Sequence, residues 1–166
     1  MAHINELIDY TVETFVVYED RVLLRFHDKY AIWLSVGGHI EVNEDPNQAA
    51  VREVKEEVGL DVTLDDARRF FHEDTPTYHE LIPPHFMNIH RISDTHRHVS
   101  MVYFARATTD VVIVPDSAEA APWKWMTKAD IVAAKDIKPS IRFYALRALE
   151  ALDSRKVSVY AGIDSK

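Results

Sequence analysis

Cysteine is absent from the 166-residue sequence, which excludes disulfides, zinc-thiolate sites and thiol nucleophiles but leaves the redox compartment open. Glycine is scarce, with four in the chain, and a composition of 47% hydrophobic and 28% charged residues is that of a globular protein, not a disordered or fibrous one. Long apolar runs are missing too. The longest, such as Val111 to Val114, are far too short to span a bilayer, and the opening MAHINELIDY has neither a basic flank nor an apolar segment. A cytoplasmic protein without a membrane partner is therefore expected. Basic residues are outnumbered, 19 Lys and Arg against 27 Asp and Glu, giving a net charge of −8. Such a field repels polyanions, so a polymeric nucleic acid is not an expected partner. A small phosphorylated ligand is still compatible, because a bound divalent cation reverses the local sign of the field.

What is present fits one domain over residues 1–166, long enough to bury its own core. TVETFVVY and RVLLRF are β-rich runs separated by Glu19 and Asp20, a hairpin pattern leading into a third strand, AIWLSV. Gly37 and Gly38 interrupt it. Asp45 before Pro46 reads as an N-cap with proline at the first helical position, Gln48 completes a capping-box pattern, and Gly59 is the matching stop. A helix over about 46–58 follows. DVTL and RRFF are short strand candidates, residues 74–90 read as a long surface loop, and HVSMVYFARA has the two-faced apolarity of a central strand. VVIV and WKWM read as further strands, and TKADIVAA and SIRFYALRALEAL as helices. An α/β fold results, with a mixed sheet between helical layers.

The first helix poses an electrostatic problem, since Glu53, Glu56 and Glu57 crowd like charges into one turn. At about 100° per residue from Val54, residues Ala50, Val51 and Val58 form an apolar stripe, and the three glutamates flank it on one side with Ala49 among them. Ala49 there leaves room for a ligand. A charge run is ordinarily a solvated face. Three carboxylates converging on the edge of a packed layer, however, suit a hard divalent cation such as Mg²⁺ or Mn²⁺, which relieves their repulsion.

The stretch from Gly38 to Leu60 resembles the Nudix box, in which a glycine, five residues, a glutamate and seven residues precede R-E-U-x-E-E-x-G-U, with U aliphatic. Gly38, Glu44, Arg52, Glu53, Val54, Glu56, Glu57, Gly59 and Leu60 fill every fixed position, and Gly37 gives the common double glycine. Chance would produce such a match at a given start with a probability on the order of 10⁻⁹. The resemblance implies a Nudix-type α/β/α sandwich and Mg²⁺- or Mn²⁺-dependent hydrolysis of a diphosphate within a nucleoside diphosphate linked to another moiety. Substrates of that class include nucleotide sugars such as ADP-ribose, nucleoside triphosphates and dinucleoside polyphosphates. It implies metal ligation by Glu56 and Glu57, joined by Glu53 and a backbone carbonyl near Gly37. Glu53 or a carboxylate from a downstream loop would deprotonate the water, and Arg52 would orient Glu53 or Glu44. Many relatives dimerise, so a homodimer is expected by analogy. A non-catalytic nucleotide-binding module of the same fold is the alternative reading; its usual mark is loss of box carboxylates, and none is lost here.

Outside the box, His85, His90, His96 and His98 fall within fourteen residues. A transition-metal site is the sharper reading, but no further ligand has zincin-like spacing, and solvated loop and edge positions are the ordinary explanation. His85 and His98 are retained as substrate-binding candidates. Pro76 resembles a residue of ADP-ribose hydrolases in the family and Tyr78 one of dinucleoside polyphosphate hydrolases, two hints that conflict. Glu73, Glu80 and Glu119 are candidates for a further ligand, base or substrate contact.

Overall fold

Strand β1 (Ile8–Tyr18) is apolar on both faces, and the fold follows from that. Phe15 and Val17 pack to one side with Val22, Leu24, Val102, Phe104 and Ile141, while Val12 and Val16 pack to the other with Ala49, Ala50, Val54 and Val58. A strand buried on both faces must lie inside a sheet covered by two layers. The structure, a computed structural model, describes residues 4–27, 31–114 and 122–153.

β1 turns at Glu19, whose φ is +54°, into the antiparallel β2 (Arg21–His27), and β3 (Ile32–Leu34) pairs with β2 in turn. Then comes helix α1 (Pro46–Val58), capped at both ends as expected: the Asp45 side chain accepts from the Asn47 and Gln48 amides, Gln48 accepts from the Asp45 amide, and Gly59 is left-handed with φ +69°. β4 (Val62–Leu64) follows, then a small hairpin of β5 (Asp74–Thr75) and β6 (Tyr78–His79), and the edge strand β7 (Phe86–Arg91). β8 (Arg97–Ala107) is central, running parallel to β1 and antiparallel to β4 and β7. β9 (Trp123–Thr127) joins β2, and α2 (Lys128–Ala133) and α3 (Pro139–Ala151) close the described chain. The seven-stranded sheet is therefore mixed, with α1 on one face and α2 and α3 on the other.

Three expected elements differ. RRFF is not a strand: Phe70 and Phe71 are exposed, and their segment is held as a turn by Glu80, whose carboxylate accepts the Phe71 and His72 amides and faces Arg69 at 3.4 Å. VVIV is not a strand either. It crosses the end of α1, where the Ile113 amide donates to the Val58 carbonyl at 3.3 Å. Residues 74–90, expected as one long loop, instead supply β5, β6 and most of β7.

α1 is also rotated relative to the stripe expected from its apolar residues. Ala49 is fully buried and Val51 is exposed, so the buried arc runs through Ala49, Ala50, Glu53, Val54 and Val58. Its centre lies about 50° toward the glutamates at 100° per residue. Ala49 thus packs into the core and makes no room for a ligand, and Glu53 is carried inward.

Candidate active site

The segment before α1 runs alongside β1 like a short extra strand. The Thr14 amide donates to the Val36 carbonyl at 2.7 Å, Val12 to Gly38 at 2.9 Å, and Ile40 to Tyr10 at 2.9 Å. Gly37 has φ +154°, and a Cβ there would overlap the Val12 carbonyl, so this close approach requires glycine. Gly38 lies against α1. A Cβ at this position would overlap the Glu53 carboxylate.

Arg52 organises the acids. Its Nε donates to Glu44 Oε2 at 3.0 Å and its Nη2 to Glu44 Oε1 at 2.5 Å, a two-point contact that matches the fork of the guanidinium. Its Nη1 donates to Glu53 Oε1 and Glu56 Oε2, each at 3.0 Å, and Nη2 also reaches the His39 carbonyl at 3.0 Å. Glu53 and Glu44, the alternatives expected for Arg52, are both within its reach. Glu44 in turn accepts the Glu41 amide at 2.8 Å. Glu57 is held separately, accepting from Arg25 Nη1 at 2.7 Å and from the Gly37 amide at 3.1 Å.

The three helix glutamates differ in solvent access. The Glu53 side chain is 5% exposed, Glu57 17% and Glu56 60%, a gradient from the core to the surface. Burial pushes the Glu53 carboxyl above its ordinary value, with Arg52 opposing and the neighbouring Glu56 and Glu44 reinforcing the rise. Glu44 moves the other way, because its hydrogen bonds to Arg52 favour the ionised form. The donor set is hard oxygen throughout. Glu44, Glu53, Glu56 and Glu57 are drawn together around two guanidiniums, Arg25 and Arg52. A divalent cation with oxygen preference fits that donor set.

The fold has close counterparts. The family model for the NUDIX domain matches residues 11–147. The chain belongs to the Nudix family. A solved structure of a Nudix-family hydrolase from Clostridium perfringens is 36% identical with a TM-score of 0.78, covering 90% of this chain and 99% of that one. An RNA pyrophosphohydrolase of Roseobacter denitrificans is 27% identical over 134 residues, 78% of this chain and 80% of that protein. Nudix hydrolase 8 of Arabidopsis thaliana is 25% identical over 155 residues, and the chain spans 37% of its length. This Nudix protein is a diphosphohydrolase acting on nucleoside diphosphate derivatives. No helix among its described residues is long and apolar enough to cross a membrane.

The other candidate residues of this Nudix hydrolase are spread more widely. His85 is separated from the remaining histidines: its Nε2 lies 2.9 Å from Asp65 Oδ2 and its ring stacks on Phe104 with centroids 4.0 Å apart. Burial lowers its basicity and Asp65 opposes that. His98, by contrast, is flanked by His39, His90 and His96 at centroid distances of 4.9, 5.6 and 5.3 Å. Burial, followed by repulsion from those three rings, brings the His98 imidazole down to about 4. Tyr78 is half exposed on β6, beside Phe71. Glu73 closes the β5–β6 hairpin by accepting the Glu80 amide through its carbonyl. Glu119 lies outside the described residues.

Sequence reasoning missed Arg25, Asp9 and His39. Arg25 sits on β2 between Leu24 and Phe26, and nothing local marks it as the partner of Glu57. Asp9 is fully buried near the start of β1, where it accepts Asn5 N and Asn5 Nδ2 on Oδ1 and Ile4 N on Oδ2. Burial alone would raise the Asp9 carboxyl, but these bonds and His39 outweigh it and bring it to about 2. His39 occupies an unspecified position of the box, the only place where a signal was available.

Proposed function

We propose that this Nudix hydrolase cleaves the diphosphate linkage of a small nucleotide, with Mg²⁺ or Mn²⁺ held by Glu53, Glu56, Glu57 and the Gly37 carbonyl. Residues 1–166 work as one domain in this reading. The observation that carries it is the Arg52-centred arrangement, which draws Glu44, Glu53 and Glu56 together beside Glu57. Carboxylate oxygens retain lone pairs beyond those used by Arg25, Arg52 and the Gly37 amide. When bound, the cation supplies charge neutralisation on the diphosphate oxygens.

Glu53 takes the proton from the attacking water. Its place at the buried end of the glutamates, against Gly38 and Arg52, supports that role. As the water oxygen bonds to one phosphorus, the bridging P–O bond breaks and its electron pair leaves with the second phosphate, giving two phosphate-terminated fragments. Arg52 and Glu44 act as positioning residues, holding Glu53 and Glu56 in place. On the substrate side, Tyr78 is supported by its exposure, whereas His85 and His98 are engaged with Asp65 and with neighbouring histidines.

A second reading, cleavage at a triphosphorylated RNA end, is favoured by the name of the Roseobacter relative. The net charge of −8 supports the small nucleotide. The test is a panel of nucleotide sugars, dinucleoside polyphosphates, nucleoside triphosphates and 5′-triphosphorylated RNA, assayed with and without Mg²⁺. Metal-dependent turnover of one small class is expected. Turnover confined to RNA would replace the substrate assignment, and no turnover of any compound with Mg²⁺ or Mn²⁺ would overturn the reading.

A further inference from the structure

Behind the loop that carries Gly37 and Gly38 lies a second polar group, built from three distant segments. Asp9 comes from β1, His39 from the loop itself and His98 from β8, and one ligand-type atom of each lies within 4.8 Å of the other two. Asp9 and His39 are buried and His98 is half-buried. His96 adjoins them, with Nε2 3.3 Å from Asp9 Oδ2.

Hydrogen-bond geometry sets this group apart from an ordinary buried aspartate with histidine partners. Asp9 Oδ2 accepts the Ile4 amide and is approached by two ring nitrogens, His39 Nε2 at 3.1 Å and His96 Nε2 at 3.3 Å. One carboxylate oxygen has about two lone pairs for these three neighbours. The opposite nitrogen of His96, Nδ1, is 3.1 Å from the Glu6 carbonyl, which can only accept. That contact leaves Nε2 of a neutral ring with its lone pair toward the carboxylate. Positive charge beside Asp9 Oδ2, whether a proton on His96 Nε2 or a metal ion, resolves the conflict, and it is the meeting of Asp9 with His39 and His98 that provides metal-type donors there.

We propose that Asp9, His39 and His98 form a second cation site, separate from the box carboxylates, for a divalent transition-metal ion of the zinc type. Its donor set of two imidazoles and one carboxylate matches ions such as Zn²⁺ and Co²⁺, whereas an all-oxygen set suits Mg²⁺. Ligands of a four-coordinate ion at about 2.0–2.1 Å sit about 3.3 Å apart, so the Asp9–His39 pair is already at that spacing and His98 closes the remaining gap. The Asn5 and Ile4 amides hold the carboxylate in place. The bound ion ties the Gly37–Gly38 loop to β1 and β8. Its role is to fix that loop, not to take part in the bond cleavage.

The test uses chelator-treated full-length protein in excess Mg²⁺, which occupies oxygen-rich positions, titrated with Co²⁺ and followed by visible absorption. One equivalent is expected to bind with the intense bands of a low-coordinate, nitrogen-ligated ion. The same signal is expected in the Glu56→Gln, Glu57→Gln double variant. In His98→Gln and Asp9→Asn, each checked for folding by circular dichroism, affinity falls by about 100-fold or more. Zn²⁺ is also expected to raise the melting temperature of the wild type and of the double glutamate variant, but not of His98→Gln. Absence of both the Co²⁺ signal and the Zn²⁺ shift in the wild type overturns the site. Loss of the signal in the glutamate variant with retention in His98→Gln overturns it as well. If Asp9→Asn fails to fold, His98→Gln decides alone.

Discussion

Arg52 meets Glu44 through two parallel hydrogen bonds, of 3.0 and 2.5 Å, while its remaining donor capacity serves Glu53, Glu56 and the His39 carbonyl. One guanidinium thus fixes three carboxylates, one just before α1 and two within it, and ties them to the His39 carbonyl on the far side of the turn. A lysine keeps the charge but offers a point donor on a flexible stem, and cannot make that fork. Arg52→Lys is expected to lower kcat by about 10- to 100-fold, the range for groups that hold metal ligands. It should also destabilise the fold by about 1–3 kcal/mol, since a partly buried carboxylate loses its partner. Steady-state kinetics and urea unfolding measure the two effects. Wild-type kcat in a folded Arg52→Lys variant would refute the positioning role.

Neighbouring glycines should fail differently. At Gly37 the obstacle to a side chain is the Val12 carbonyl, and the backbone is already at a φ that other residues rarely adopt. Gly37→Ala is therefore a stability variant, with an expected loss of about 1–3 kcal/mol. At Gly38 the obstacle is the Glu53 carboxylate. Gly38→Ala should displace that group with a smaller change in melting temperature, yet reduce turnover by about 100-fold. Equal losses of stability and activity in the two variants would contradict this division.

These two glycines also show what a sequence discloses. Box residues are legible because cation and phosphate chemistry demand particular side chains at fixed spacing, and the caps of α1 because Asp45, Gln48 and Gly59 act within a few residues of one another. The rotation of α1 is not legible from its apolar residues. Glu53 is buried because Gly38 admits it and Arg52 pairs with it, both of which are tertiary facts. β7 escaped notice because it is an exposed edge with Pro83 and Pro84 before it and His90 and Arg91 at its end, so its pattern resembles a loop. Asp9, His39 and His98 converge from positions far apart in the chain, through the parallel pairing of β1 with β8 and the bridge between Thr11 and His39. No local pattern encodes such a meeting.

The start of α1 also anchors the segment leading to β7. Asn47 Nδ2 donates to the Ile82 carbonyl at 2.9 Å and its Oδ1 accepts the Ile82 amide at 2.8 Å, so one side chain satisfies both backbone groups. Asn47→Ala removes both bonds at a partly buried position, with an expected loss of about 1–3 kcal/mol. Hydrogen exchange at the Ile82 amide should accelerate more than exchange in β8. Unchanged protection at Ile82 would show that other contacts hold this segment.

Glu53 places function against stability. Burial raises its carboxyl above 4.5, so the folded chain binds this proton more tightly than the unfolded chain does. The group then supports folding most fully below its unfolded value, and that support is lost as pH rises through the higher folded value. At pH 7 without metal, the buried Glu53 carboxyl is therefore a burden on the fold, relieved in part by Arg52. Glu53→Gln removes the charge at nearly constant shape. Its melting temperature in chelator is expected to equal or exceed that of the wild type at pH 7, with the advantage shrinking toward pH 4. The Mg²⁺-induced rise in melting temperature should diminish, and turnover should fall by at least about 100-fold. In the wild type, turnover should fall on the acid side of the kcat profile, because the base must be ionised to accept the proton from water. Calorimetry across pH and single-turnover assays together decide the matter: a variant that is less stable than the wild type at pH 7 in chelator, or that retains its turnover, removes Glu53 from the role of a buried base held ready by its surroundings.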